Sequence, residues 1–151
     1  MQRSTSKAIL LGGLIAGTID VGAASLINLV NPLRILRTIA AGLIGLAAAR
    51  HGGIPVAALG LLLQWSMALI IAAIYVLAGR ALPVLRTRWL LCGPAYGVTI
   101  FLVMNYVVLR LSALAVTPDF TAQAFAENVL AMLLFGTIVA WSASRYAPVS
   151  K

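Results

Sequence analysis

Four stretches of the chain, residues 8–30, 54–78, 89–109 and 122–142, are apolar and long enough to cross a bilayer, and no other feature limits the fold so strongly. A membrane core needs about 20 mostly apolar residues in helical form. Water is absent there, so a spanning segment must satisfy its own backbone N–H and C=O groups, and a single run can do so only as a helix. The expected fold class is therefore all-α: an integral membrane bundle of four transmembrane helices, one domain over residues 1–151. Composition agrees. Apolar residues make up 62% of the chain and charged residues 9%, whereas a soluble domain wets its surface with roughly 25% charged residues.

A fifth stretch, residues 32–50, reads differently. Asn31 suits a helix cap, Pro32 the first turn, and Gly52-Gly53 a helix end. The uninterrupted apolar part from Thr38 to Ala49 covers only about 18 Å, too short for the core. Arg34, Thr38, Ala41, Gly45 and Ala48 fall on one stripe at helical spacing, and Leu36, Ile39, Leu43 and Leu46 fall roughly opposite. The expectation is an interfacial or re-entrant helix, small side toward the bundle and large side toward lipid. The alternative is a fifth span with snorkelling arginines.

The chain has 11 Lys and Arg against 3 acids, a net charge of +8. The basic residues stand at the ends of apolar runs, where they meet anionic headgroups and set topology, and they form no nucleic-acid-binding stripe. Four spans put Arg3, Lys7, Arg80, Arg86, Arg88, Arg145 and Lys151 on one side and Arg34, Arg37, Arg50 and Arg110 on the other. Both termini are then expected to be cytoplasmic in a bacterial inner membrane. Trp89, Trp141 and Tyr146 fit an aromatic belt at that face. The charged and apolar opening of the chain looks like a signal peptide, but the apolar run continues past the small residues at Ala23–Ser25 and contains Asp20, so a retained first helix is expected. Thr117-Pro118 reads as the start signal of the last span.

One Cys, Cys92, and one His, His51, exclude an intrachain disulfide and the usual zinc sets. No phosphate loop or nucleophile elbow is present. The expectation is a non-enzymatic protein without cofactor or metal.

The residues that need explaining are polar ones inside the spans. Asp20 shares a helical face with Gly13, Gly17 and Ala24, and small residues let a neighbouring helix come close, so its carboxylate is expected inside the bundle. Gln64, Asn105, Glu127 and Asn128 lie within the other spans, and Arg34 and Arg37 approach from the same side as the last three. Together these seven residues form the candidate intramembrane polar site. An intramembrane carboxylate costs roughly 2.5–3.5 kcal/mol on the insertion scale. Asp20 and Glu127 are thus expected either to handle a proton, a cation or a cationic group, or to pin an arginine, with Arg34 or Arg37 the expected partner of Asp20. Gly13, Gly17, Gly93 and Gly97 are expected to be helix-packing positions. The similar settings of Gly13-x-x-x-Gly17-Thr18 and Gly93-x-x-x-Gly97-Val98-Thr99 have two readings, a duplicated two-span hairpin or the general abundance of glycine in membrane helices.

Several short motifs carry a resemblance: Ala16-Gly17-Thr18-Ile19-Asp20, Pro32-Leu33-Arg34-Ile35-Leu36, Ile39-Ala40-Ala41-Gly42-Leu43-Ile44-Gly45, Leu59-Gly60-Leu61 and Met104-Asn105-Tyr106-Val107-Val108. Through them the chain resembles a family of small bacterial inner-membrane proteins of unknown function. More distantly it is similar to the YagU-like inner-membrane proteins, sharing the Gly-Leu-Ile-Ala-Gly opening (Gly13 to Gly17) and a Glu-Asn-Val in the last span (Glu127 to Val129). The resemblance implies a multispan helical protein and transfers no catalytic activity. It also implies a His in the closer relatives where this chain has Gln64, so a metal or relay role of that His does not carry over.

The expected role is a small inner-membrane component in transport, envelope homeostasis or stress tolerance, working through a polar cavity. Its partners would be the bilayer with its anionic headgroups and a homo-oligomer or membrane-protein partner, not nucleic acid. The alternative is a non-catalytic structural subunit that packs into a larger membrane complex through its glycine faces.

Overall fold

The computed structural model describes residues 4–114 and 121–147. Its long helices are α1 (Thr5–Ile27), α4 (Gly53–Ala81), α6 (Trp89–Leu111) and α7 (Ala122–Tyr146), the four among the described residues that are long and apolar enough to cross a membrane. Three short helices lie between them: α2 (Pro32–Ile44), α3 (Leu46–His51) and α5 (Val84–Thr87). The all-α membrane bundle expected from the apolar runs is the architecture found.

Helix ends follow local chemistry. The Asn31 side chain accepts the Leu33 N–H at 2.9 Å, and Pro32 occupies the first turn of α2, so the expected cap is present. The cap of α7 is Thr121, whose hydroxyl accepts the Ala124 N–H at 3.2 Å. The Thr117-Pro118 signal lies outside the described residues.

The packing is inverted relative to a soluble protein. The buried positions are mostly small, with Ala8, Ala16, Ala72, Ala140 and Ala143 fully enclosed, while Leu62, Leu91 and Leu130 are more than 60% exposed. In lipid, burying a large apolar side chain gains little over leaving it in hydrocarbon, and close backbone approach holds the helices instead. Glycines make that approach possible. A methyl group on Gly17 would sit 2.8 Å from Ala68 Cβ of α4, and one on Gly93 would sit 2.9 Å from Thr137 Cα of α7. Gly13 likewise meets Leu69 of α4, and Gly97 meets Met132 and Leu133 of α7. Each expected packing glycine thus presses its helix onto the second span of its own hairpin, α1 on α4 and α6 on α7.

The two hairpins are joined along α1 and α7, where Ser142 Oγ donates to the Ala8 carbonyl at 2.8 Å. Backbone contact between α4 and α6 is sparse by comparison. Side chains bridge that seam: the Tyr96 hydroxyl donates to the Ile71 carbonyl at 2.8 Å, and the rings of Tyr75 and Tyr96 are 4.9 Å apart. Both ends of the described chain meet at one end of the bundle, where the Ser4 N–H donates to the Tyr146 carbonyl at 2.7 Å and Arg80 reaches Thr5.

Residues 32–50 depart from expectation twice. They do not form one helix: Gly45, at φ 83°, breaks it into α2 and α3, a backbone conformation that side chains rarely tolerate. The face that α2 buries also differs in part from the one expected: Ala41 of the small stripe is buried, as expected, but so is Leu36 of the large one. Leu36 is buried with Val21 and Ala57, with Ile35 and Ile39 packed alongside, while Arg34 and Thr38 face outward. The closest approach uses Gly60 of α4, whose missing side chain leaves room for the Leu36 backbone. Only Leu43 and Leu46 of the large stripe remain exposed.

Candidate functional site

Four helices each contribute one polar side chain to a single cavity. Asp20 of α1, Gln64 of α4, Asn105 of α6 and Asn128 of α7 line a partly enclosed space of about 100 Å³ beside the loose α4–α6 seam. At 1.5 Å per residue the four lie about 22–27 Å from the helix ends that gather the termini, so they share a depth in the remote half of the bundle.

The geometry begins with Gly17. Its missing side chain brings α4 close enough for Gln64 Nε2 to donate to Asp20 Oδ2 at 2.8 Å and toward the Gly17 carbonyl at 3.4 Å. Both partners can only accept, which fixes the orientation of the Gln64 amide and points its oxygen elsewhere. The two asparagines behave alike. Asn105 Nδ2 donates to the Phe101 carbonyl at 2.9 Å, and Asn128 Nδ2 to the Ala124 carbonyl at 2.7 Å, each one turn back on its own helix. Their side-chain oxygens therefore remain as free acceptors. Asn105 sits in a π-helical turn, Met104–Val108, a widening of the α-helix that is frequent at functional sites.

The polar lining thus offers one carboxylate and three amide oxygens as acceptors, and each asparagine amide keeps a second N–H beyond its one bond to the chain. The remainder is soft and apolar. Met67, Met104 and Met132 all line the cavity, and with Met1 they account for every methionine in the chain. Thioether sulfur is a weak acceptor and a soft metal ligand. The methionines went unnoticed in the sequence because they lie on three different helices with no common spacing.

The other candidate residues lie elsewhere. Glu127 does not line the cavity, and its Oε1 accepts from Gln123 Nε2 at 2.8 Å, one turn earlier on α7. Arg34 and Arg37 line a separate cavity at the remote end. The expected pairing of Asp20 with one of these arginines is corrected: its partner is Gln64. Among the described residues no cluster of three His, Cys, Asp or Glu side chains could hold a metal ion. Cys92 packs against the core beside α5, its thiol 3.7 Å from the Val84 carbonyl, and His51 is exposed in the last turn of α3.

No protein-family model matches the chain, and no curated protein or solved structure is significantly similar to it.

Proposed function

We propose that this chain is a small multipass component of a bacterial inner membrane, both termini cytoplasmic, that receives a proton, a small cation or a cationic group in the cavity between its four spans. The observation that supports this reading is the acceptor-rich lining: Asp20 supplies a carboxylate, and Gln64, Asn105 and Asn128 each bond the chain through the amide nitrogen, which leaves their oxygens for a ligand. A ligand that neutralises the Asp20 carboxylate must bring positive charge or donors of its own. Transport, envelope homeostasis or stress tolerance are the roles such a site serves. The protein is read as non-enzymatic and as similar to the YagU-like proteins. The alternative, a structural subunit of a larger membrane complex, would need a surface other than the glycine faces, which are filled within the chain.

The test is ligand-dependent stability. Detergent-purified protein is melted in sodium, potassium, silver or bulky organic cations at equal ionic strength. A cation present at 100 times its dissociation constant stabilises by about 2.7 kcal/mol. At least one small cation should raise the melting temperature of wild type and not of Asp20→Asn. Silver probes the thioethers, sodium and potassium the oxygens. Identical melting in every salt for both proteins would exclude cation binding here.

A further inference from the structure

The end of the bundle remote from the termini carries a second cavity, of about 410 Å³, within the roughly 300–1,000 Å³ range of ligand pockets. Arg34, Arg37 and Thr38 of α2 line it from one side, and Leu46, Ala49 and Arg50 of α3 from the other. It is distinct from the cavity around Asp20.

The fold brings these arginines together. In an unbroken helix Arg34 and Arg50 would stand about 24 Å apart, sixteen residues at 1.5 Å each. The turn at Gly45 folds α3 against α2 and places Arg50 on the same cavity as Arg34 and Arg37. Nothing lies within 4 Å of the position a Gly45 Cβ would take, so its backbone conformation, and not crowding, requires glycine there.

Three like charges converge on this space, and no described carboxylate lines it. Of the chain's three acids, Asp20 bonds Gln64, Glu127 bonds Gln123, and Asp119 lies outside the described residues. None of the three guanidinium groups is hydrogen-bonded or ion-paired to a described residue. The Thr38 hydroxyl donates to the Arg34 carbonyl at 3.0 Å, which leaves the guanidinium groups as the donors facing the cavity. Guanidinium presents paired N–H groups that match the spacing of phosphate oxygens. The cavity also lies at headgroup depth, since α2 follows the end of α1 and Arg50 precedes the first turn of α4.

We propose that the Arg34–Arg37–Arg50 cavity binds a phosphate-bearing anionic group, presented by the headgroup of an anionic phospholipid. The charge excess selects against zwitterionic headgroups, whose ammonium group would add a fourth cation.

The experiment uses the full chain in neutral detergent, with thermal stability read against added phosphatidylglycerol, phosphatidylcholine and inorganic phosphate. Wild type should respond to phosphatidylglycerol at concentrations at least tenfold lower than to phosphatidylcholine. The Arg34→Gln/Arg37→Gln/Arg50→Gln variant should lose that preference, and Arg110→Gln should retain it. A response to inorganic phosphate alone, lost in the triple variant, would support the anion site and overturn the lipid source. Equal responses to both lipids with none to phosphate would overturn the proposal. So would a preference unchanged in the triple variant. Arg50→Gln by itself, an exposed position on α3, should weaken the preference severalfold and serves if the triple variant fails to fold.

Discussion

Neutralising Asp20 separates two accounts of the bundle that differ in sign. If Asp20 pinned an arginine, Asp20→Asn would strand a buried cation, and removing one partner of a buried pair costs roughly 3–5 kcal/mol. The structure gives Asp20 a neutral donor instead, Gln64 Nε2 at 2.8 Å. An asparagine oxygen at the same place still accepts that N–H, so the interhelical bond survives while the desolvated charge is removed. Burying an unpaired charge is far costlier than burying an amide. Asp20→Asn should therefore match or exceed wild-type stability. Gln64→Leu is the reverse experiment. It removes the one side-chain donor that Asp20 has among the described residues, and hydrogen bonds to charged groups are worth about 1.5–3 kcal/mol, so a loss of that size is expected. Combining the two substitutions should cost less than Gln64→Leu alone, because the stranded group is then uncharged, and the difference should appear as a coupling energy of about 0.5–3 kcal/mol. The assay is equilibrium unfolding of the four proteins in mixed detergent micelles. A loss above about 2 kcal/mol for Asp20→Asn would refute the Gln64 pairing, since a buried pair broken at one partner costs that much or more.

The remaining expectations are simpler to read. Topology reporters fused at Lys151 and within the Arg80–Arg88 loop should both read cytoplasmic, and a periplasmic signal from either would overturn the proposed orientation. In a Cys92-free background, single cysteines at Asn31 and Gly52 should react with an impermeant thiol reagent from the same face of the membrane; reaction from opposite faces would make α2 and α3 a fifth crossing. Gly97→Val should destabilise the bundle by about 1–3 kcal/mol, because its new side chain would run into the α7 backbone at Met132. Gly22→Ala should instead stabilise α1 by roughly 0.5–1 kcal/mol, since nothing lies within 4 Å of the added methyl, and equal melting shifts for the two glycines would contradict the seam described.

How much was legible in the sequence follows from which force acts where. The spans were readable because a hydrocarbon solvent imposes a length on each one, and the found helices begin and end within a few residues of the apolar runs. The packing roles of Gly13, Gly17, Gly93 and Gly97 were readable for the same reason: small faces are what hold helices together in lipid. That rule held only in part at α2, where Ala40 and Ala41 are buried but so is Leu36. An amphipathic helix lying on the end of the bundle is exposed to water and headgroups, and there burial of large apolar residues drives packing again. Leu36 and Ile39 therefore turn inward and Arg34 outward. The break at Gly45 was hidden because one glycine inside a helical pattern is often tolerated. The convergence of Asp20, Gln64, Asn105 and Asn128 was half visible. Each stood out as polar in an apolar span, but which ones meet depends on the rotation of one helix against another, and periodicity within one helix carries no record of that.

The uneven seams of the bundle have a mechanical consequence. Each hairpin is locked internally by glycines, α1 to α4 and α6 to α7, and the line between α1 and α7 acts as a spine along which the two halves are sewn. The opposite edge, α4 against α6, is fastened chiefly by tyrosines at one level. The cavity straddles that edge: Asp20 and Gln64 ride on one half, Asn105 and Asn128 on the other. A guest of the kind proposed, touching both pairs at once, would therefore act as a clasp across the open edge, and without it that edge is held chiefly by the tyrosine contacts.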